Sequence, residues 1–148
     1  MVNYDLLNKQ LKAITEDVDY AISNLANAAA LLWEALPDIN WAGFYLLQDE
    51  KLVLGPFQGK TACVTIPIGK GVCGTAVAQA ATQLVPDVHK FPGHIACDSA
   101  SNAEIVVPLW KEGKIIAVMD IDSPTKERFT DYDRNGLERF AQILQDRL

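Results

Sequence analysis

The sequence lacks a surplus of positive charge, and it lacks any apolar run long enough to cross a bilayer. Its 148 residues include 13 Lys and Arg against 19 Asp and Glu, which gives a formal net charge of −6. An acidic chain does not neutralise phosphates, so we expect no nucleic-acid partner. Its apolar runs fall short of the roughly 20 residues of a membrane-spanning helix, so we expect no membrane partner either.

The N-terminus also lacks the pattern of a secretory signal. Charged residues are spread through residues 1–17, where a signal would place a basic start before an apolar run. We therefore expect a cytoplasmic protein, in a compartment that keeps thiols reduced. The length suits one domain with its own hydrophobic core, spanning residues 1–148.

Cysteine is scarce and odd in number, so it cannot form a fully paired disulfide framework. The three cysteines are Cys63, Cys73 and Cys97, and the ordinary role of a free cysteine is that of a small buried hydrophobe. The sequence has no C-x-x-C pair. The close cluster of His89, His94 and Cys97 leaves a zinc-stabilised structural domain open as an alternative.

Apolar residues at helical spacing mark both ends of the chain. The N-terminal stripe consists of Leu7, Leu11, Ile14, Val18, Ile22, Leu25, Ala29, Leu32 and Leu36. It predicts one long amphipathic helix with a break near residues 15–19. A final helix is predicted to begin at Thr130 or Asp131, because either residue can cap a helix N-terminus.

Between these helices, runs of β-forming residues predict two hairpins and one further strand. The strands are expected at residues 41–47, 52–54, 62–66, 104–110 and 115–122. A short helix is expected over residues 69–80, after a glycine-rich start. This order of elements predicts an α+β fold, with an antiparallel sheet and the N- and C-terminal helices packed on one side of it.

A connection without periodicity lies over residues 86–103 and contains both histidines and Cys97. Irregular connections of this length are uncommon inside a domain, and many of them are binding or active-site loops. A thiol on such backbone can reach a ligand, and unpaired amides or a nearby histidine would favour its thiolate form. Cys97 is therefore a candidate nucleophile, whereas a polar linker is the simpler alternative.

Carboxylates end the last predicted strand. Asp120 and Asp122 are two positions apart, so a pleated strand directs both to one face, and Glu104 opens the neighbouring strand. Acids on an apolar strand cost repulsion and desolvation unless a cation or a shared proton separates them. We expect either a solvated strand end or a pocket wall that binds an ammonium group or holds an acid of raised pKa. Trp41 and Tyr45 share a strand face, and they either pack in the core or line that pocket.

Seven segments in order, covering nearly the whole chain, resemble the free methionine-R-sulfoxide reductases, which are enzymes built on a GAF domain. The segments are NWAGFY at 40–45, LGPFQGK at 54–60, GKGVCGTA at 69–76, DVH at 87–89, FPGHIACDS at 91–99, EIVVPL at 104–109 and DIDSP at 120–124. Each segment alone is a weak signal, whereas the seven together are specific. The resemblance implies a GAF-type domain that reduces free L-methionine (R)-S-oxide to L-methionine. This reaction belongs to the response to oxidative stress, because it reverses the oxidation of methionine.

The resemblance also implies a role for each cysteine. Cys97 matches the nucleophile that becomes a sulfenic acid, Cys63 matches the resolving partner in a Cys63–Cys97 disulfide, and Cys73 matches a third catalytic cysteine with an auxiliary role. Thioredoxin is the implied reductant, with no cofactor and no metal. Members of the family often form dimers, so a homodimer is left open for this chain.

The resemblance further implies the two sides of a substrate pocket. Glu104, Asp120 and Asp122 match its acidic side, with Glu104 and Asp122 also taken as catalytic residues, while Trp41 and Tyr45 match its aromatic side. Which carboxylate donates the proton is left open. The alternative function is a non-catalytic GAF domain that senses a small ligand.

Overall fold

The structure, a computed structural model, describes residues 1–94 and 100–148, and in these ranges six antiparallel strands form one sheet. The strands are β1 Trp41–Gln48, β2 Lys51–Gly59, β3 Thr65–Pro67, β4 Gln83–Val85, β5 Ala103–Lys111 and β6 Lys114–Ser123. Their order across the sheet is β3-β2-β1-β6-β5-β4. The two predicted hairpins are therefore confirmed, and they join along β1 and β6 at the centre of the sheet.

Helices cover both faces of the sheet. They are α1 Tyr4–Thr15, α2 Ala21–Ala35, α3 Gly71–Gln79 and α4 Asp131–Gln145. The helices α1, α2 and α4 share one hydrophobic core with the sheet, so the predicted α+β class with terminal helices on one side is confirmed. The helix α3 packs on the opposite face, in a second core. No helix in the described ranges is long and apolar enough to cross a membrane.

The predicted break near residues 15–19 is confirmed, because residues 16–20 separate α1 from α2. Asp17 there has a φ of 58°, a left-handed conformation that a continuous helix does not contain. The predicted apolar stripe is wrong at Ile14 and Ile22, which are exposed. Thr15 is buried in place of Ile14, and its hydroxyl donates to the carbonyl oxygen of Leu11 at 2.7 Å.

Two strands differ from the prediction. The strand expected at 62–66 is reduced to β3, because side chains of β1 hold the backbone of residues 60–63 outside the strand ladder. The short edge strand β4 was not predicted, since three residues carry too little alternation to be recognised. Residues 88–90 form a single 3₁₀ turn inside the predicted irregular connection.

Alternation along the central strands separates the two cores. Phe44 and Met119 face α1, α2 and α4, while Tyr45 and Val118 face α3. The core between the sheet and the terminal helices is the larger one. The α3 side is covered by a single short helix and by connections between strands, and this thinner cover leaves room for a cavity.

The junction of α1 and α4 rests on a buried tyrosine. The Tyr4 hydroxyl donates to Oδ1 of Asp133 at 2.6 Å. The other oxygen of Asp133 accepts from the backbone N–H of Thr130 at 2.9 Å, and Thr130 is the N-cap of α4, as predicted. A Cβ atom on Gly136, one turn further along α4, would overlap the Tyr4 ring.

We therefore expect Gly136→Ala to destabilise the fold by about 1–3 kcal/mol, the usual cost of overpacking, although alanine is the better helix former. Chemical denaturation measures the free energy of unfolding. Asn135→Ala, at the exposed neighbouring position, is the matched control and should be neutral or slightly stabilising. The cost should shrink in a Tyr4→Ala background. An unchanged cost there would mean that the Tyr4 ring is not the obstacle.

Candidate functional site

A cavity lies on the α3 side of the sheet, above β1, β5 and β6. The space between its lining residues is about 540 Å³ when the open mouth is included. Among the described residues, its polar lining consists of Thr61, His94, Ser101, Glu104, Asp120 and Asp122. Trp41 and Tyr45 form an aromatic wall, and Cys73 of α3 closes another side. The cavity therefore combines acidic, aromatic and thiol groups.

Strand register brings the acids together. Glu104 on β5 lies directly opposite Asp122 on β6, and Asp122 in turn lies opposite Trp41 on β1. Asp120 is two positions before Asp122 and points to the same face. The expected clustering of these acids is present, and the alternative of a solvated strand end is wrong for Asp120, which is 5% exposed. Glu104 is buried as well, at 8% exposed.

Burial sets the protonation of this cluster. It raises the pKa of Glu104 well above its usual range, and the negative charges of Asp120 and Asp122 raise it further. Burial also raises the pKa of Asp120, although hydrogen bonds with its neighbours partly offset that shift. The hydrogen bond between Glu104 and Asp120 favours the protonated form of Glu104 and the ionised form of Asp120. The cluster thus favours the protonated form of Glu104.

Positive charge is scarce around the cluster. Of the residues described by the structure, no Lys or Arg lines the cavity. His94 does line it, but burial and the neighbouring His89 lower the pKa of His94, against a smaller opposing effect of Asp120. A bound cation would therefore meet Glu104 and Asp120 without a Lys or Arg of the described lining beside them.

Cys73 lies in the first turn of α3, against the acids. Its Sγ atom, a carboxylate oxygen of Glu104 and one of Asp120 all lie within 4.8 Å of one another. Burial and the adjacent carboxylates raise the pKa of the Cys73 thiol well above its ordinary value. Since the thiolate is the reactive form, Cys73 is a poor nucleophile in this position.

The aromatic wall is a stack of three rings rather than the predicted two. Trp41 stacks against Tyr45 with ring centroids 5.9 Å apart, and against Phe57 at 5.1 Å. Gly43 makes room for Phe57, because a Cβ at that position would overlap the Phe57 side chain. Phe57 was not predicted as part of the site. The sequence signal was a glycine between two aromatic residues on one strand face.

The same aromatic residues hold the chain that carries Cys63. The Tyr45 hydroxyl donates to the carbonyl oxygen of Cys63 at 2.8 Å, and Nε1 of Trp41 donates to that of Lys60 at 3.1 Å. Burial and the nearby acids raise the pKa of Tyr45, so its hydroxyl stays protonated as a donor. Cys63 is disulfide-bonded, whereas Cys73 is a free thiol.

Cys97 lies outside the described residues, as does the rest of segment 95–99. The residues that flank this segment meet at the site, since His94 and Ser101 both line the cavity. The two histidines of the predicted zinc cluster differ in position. His89 is exposed and its Nδ1 lies 3.0 Å from Asp87, while His94 faces the cavity.

Comparison with known proteins gives the family. Residues 25–146 match the GAF domain. The chain is 56% identical over 142 residues to the free methionine-R-sulfoxide reductase of Escherichia coli (strain K12), a match that covers 96% of this chain and 86% of the relative.

Solved structures agree with that relationship. The reduced form of fRMsr of Staphylococcus aureus has a TM-score of 0.98 at 55% identity, over 100% of this chain and 96% of that chain. The free methionine-R-sulfoxide reductase from Neisseria meningitidis in complex with its substrate has a TM-score of 0.95 at 44% identity, over 97% and 87%. The chain therefore belongs to the GAF-domain family of free methionine-R-sulfoxide reductases.

Proposed function

We propose that this chain reduces free L-methionine (R)-S-oxide to L-methionine, with a disulfide as the oxidised product on the protein. One observation carries the proposal: a buried acid cluster and an aromatic stack face each other across a small cavity, and Cys63 lies at its edge in a disulfide bond. The family relationship supports the same activity.

The acid cluster is proposed to bind the ammonium group of the amino acid. Oδ1 of Asp120 is buried and, within residues 1–94 and 100–148, has no hydrogen-bond partner. An ammonium donor satisfies this oxygen and offsets the cost of burying the carboxylates. Trp41 and Tyr45 are then placed against the methyl-sulfur end, because sulfur makes favourable contacts with aromatic rings.

Cys97 is proposed as the nucleophile. Its thiolate attacks the sulfoxide sulfur, the S–O bond breaks, and the oxygen passes to Cys97, which leaves methionine and a sulfenic acid. The oxygen needs a proton as the S–O bond weakens, and Glu104 fits the role of proton donor because burial and the neighbouring acids raise its pKa inside the cavity. Asp122, directly opposite Glu104, supports it as part of the same hydrogen-bonded cluster.

Cys63 is proposed as the resolving cysteine. Its thiol attacks the sulfenic acid of Cys97, forming the Cys63–Cys97 disulfide and releasing the oxygen as water. Thioredoxin then reduces that disulfide by thiol–disulfide exchange. The disulfide-bonded state of Cys63 and the free thiol of Cys73 support this pairing. Cys73, neutral and buried, acts within the acid cluster rather than as an attacking group.

Some expectations about organisation remain proposals. We infer one domain over residues 1–148, because α1, which precedes the matched residues 25–146, packs against α4. A cytoplasmic location fits a reductant such as thioredoxin. Whether the chain forms a homodimer is left open, and light scattering, which measures the molar mass in solution, decides it.

A GAF domain that only senses a ligand would not need a cysteine in a disulfide beside the cavity, so turnover is the favoured function.

Cys97→Ser should abolish methionine formation in a single turnover, while Cys63→Ser should still produce about one equivalent of methionine but lose thioredoxin-dependent recycling. Rapid-quench assays and an NADPH-coupled assay with thioredoxin and thioredoxin reductase separate the two steps. The (S)-sulfoxide epimer is the control and should not react. If the two variants exchange behaviours, the assigned roles are wrong.

N-acetyl-methionine (R)-sulfoxide should be a poor substrate, because acetylation removes the ammonium charge and leaves the buried carboxylates unpaired. An unpaired buried group costs about 1–3 kcal/mol or more, so kcat/KM should fall by at least about 10- to 100-fold. Steady-state kinetics on the two compounds measure the ratio. Equal values would contradict recognition of the ammonium group by the acid cluster.

Glu104→Gln should lower the rate of methionine formation by about 10²- to 10⁴-fold, the usual contribution of a general acid. In the wild type the single-turnover rate should fall as the pH rises through the raised pKa of Glu104, because the required proton is lost. This alkaline limb of the pH–rate profile, the decrease in rate at high pH, should disappear in the variant. Asp5→Asn, at an exposed carboxylate on α1, is the control and should leave the profile unchanged. An alkaline limb that persists in Glu104→Gln would assign the proton to another group.

A further inference from the structure

Three side chains in the cavity form a potential metal-ligand set. Cys73, Glu104 and Asp120 are all more than nine-tenths buried, and one ligand atom from each lies within 4.8 Å of the others. A thiol combined with carboxylates suits Zn²⁺ and similar borderline-soft divalent cations better than Mg²⁺ or Ca²⁺, which prefer all-oxygen sites. This set differs from the sequence cluster of His89, His94 and Cys97.

A second observation indicates a cationic ligand. Oδ1 of Asp120 is buried and receives no hydrogen bond from any residue that the structure describes. This oxygen belongs to the residue that lies against both Glu104 and Cys73. A metal ion coordinated there would satisfy the oxygen and would bring positive charge to a cavity that, over its described lining, has no Lys or Arg. His94 lines the same cavity but does not belong to this set of ligand atoms.

We propose that Cys73, Glu104 and Asp120 form a binding site for one divalent cation of the Zn²⁺ type, and that the bound metal excludes the amino-acid substrate. The metal is an inhibitor in this proposal and not a cofactor. The exclusion rests on the proposed function, because it assumes that the substrate ammonium occupies the same acids. The binding of the metal does not rest on it.

A metal ion binds cysteine as the thiolate and glutamate or aspartate as the carboxylate, so any proton held by these three side chains passes to solvent when the ion binds.

The test uses the oxidised protein, in which Cys63 is held in its disulfide and Cys73 is the free thiol among the described cysteines. Equilibrium dialysis against Zn²⁺ should give one ion per chain. Cys73→Ala and Asp120→Asn should each weaken binding by at least about 10- to 100-fold, the loss that follows removal of even an outer-shell partner. His89→Ala, at the exposed histidine beside Asp87, is the matched control and should bind Zn²⁺ like the wild type.

Cadmium provides an independent signature of thiolate coordination. The Cd²⁺-loaded oxidised protein should show a thiolate-to-metal charge-transfer band in the ultraviolet, and this band should be absent in Cys73→Ala. Thermal unfolding checks that each variant is folded. If Cys73→Ala does not fold, Asp120→Asn and the charge-transfer band of the wild type decide the outcome.

Three results would overturn the proposal. They are the absence of Zn²⁺ binding to the folded wild type, retention of full affinity in the folded Cys73→Ala and Asp120→Asn variants, and loss of binding in His89→Ala alone.

A second experiment tests whether the bound metal excludes the substrate. Calorimetry should detect methionine sulfoxide binding to metal-free protein and none to Zn²⁺-loaded protein. Equal binding to both would refute the exclusion. Failure to bind methionine sulfoxide without metal would instead refute the proposed function, while the dialysis result would still decide the metal site.

Discussion

The site depends on one costly arrangement, three carboxyl groups side by side on the α3 face of the sheet, of which those of Glu104 and Asp120 belong to buried residues. Cross-strand register places Glu104 opposite Asp122, and alternation along β6 adds Asp120 to the same face. Burying unpaired charge costs several kcal/mol per ion, so such a cluster must keep protons or bind a cation. In the free protein, the raised pKa of Glu104 favours retention of a proton. Both the proposed ammonium site and the proposed metal site follow from the buried Oδ1 atom of Asp120, which accepts no hydrogen bond within the described residues.

The aromatic wall connects this cluster to the chain that carries Cys63, the proposed resolving cysteine. Tyr45 and Trp41 face the cavity with their rings, and their polar atoms hold residues 60–63 at its edge through two hydrogen bonds. A substrate that contacts the rings therefore lies next to the backbone of Cys63. The stack with Phe57, which Gly43 permits, limits the freedom of the Trp41 ring. In the proposed mechanism, binding and disulfide chemistry therefore share the same few side chains, which would allow one small domain to carry out both.

Much of this arrangement could be predicted from local pattern, and the remainder depended on contacts distant in sequence. Alternation was enough to place Asp120 and Asp122 on one strand face, and turn chemistry was enough to find both hairpins. The contact of Cys73 with the acids could not be predicted, because α3 reaches them only after the sheet has formed. Phe57 was missed because the register shift between Gly43 and Tyr45 decides which β2 side chain lies beside Trp41. The pairing of Cys63 with Cys97 and the catalytic roles of the acids came from family resemblance and stay predictions.

The central claim is that Asp120 pairs with the ammonium group of the substrate while Glu104 keeps its proton for the reaction. Isothermal titration calorimetry of free methionine-R-sulfoxide binding to the Cys97→Ser protein, which should not turn the substrate over, measures proton exchange when it is repeated in buffers of different ionisation enthalpy. The hydrogen bond between Glu104 and Asp120 favours the protonated form of Glu104 and the ionised form of Asp120, so binding near neutral pH should release no proton from the cluster. A binding heat that is the same in every buffer is therefore expected. A heat that changes with the buffer in the direction of proton release would mean that binding removes the proton that Glu104 donates, and it would contradict the account.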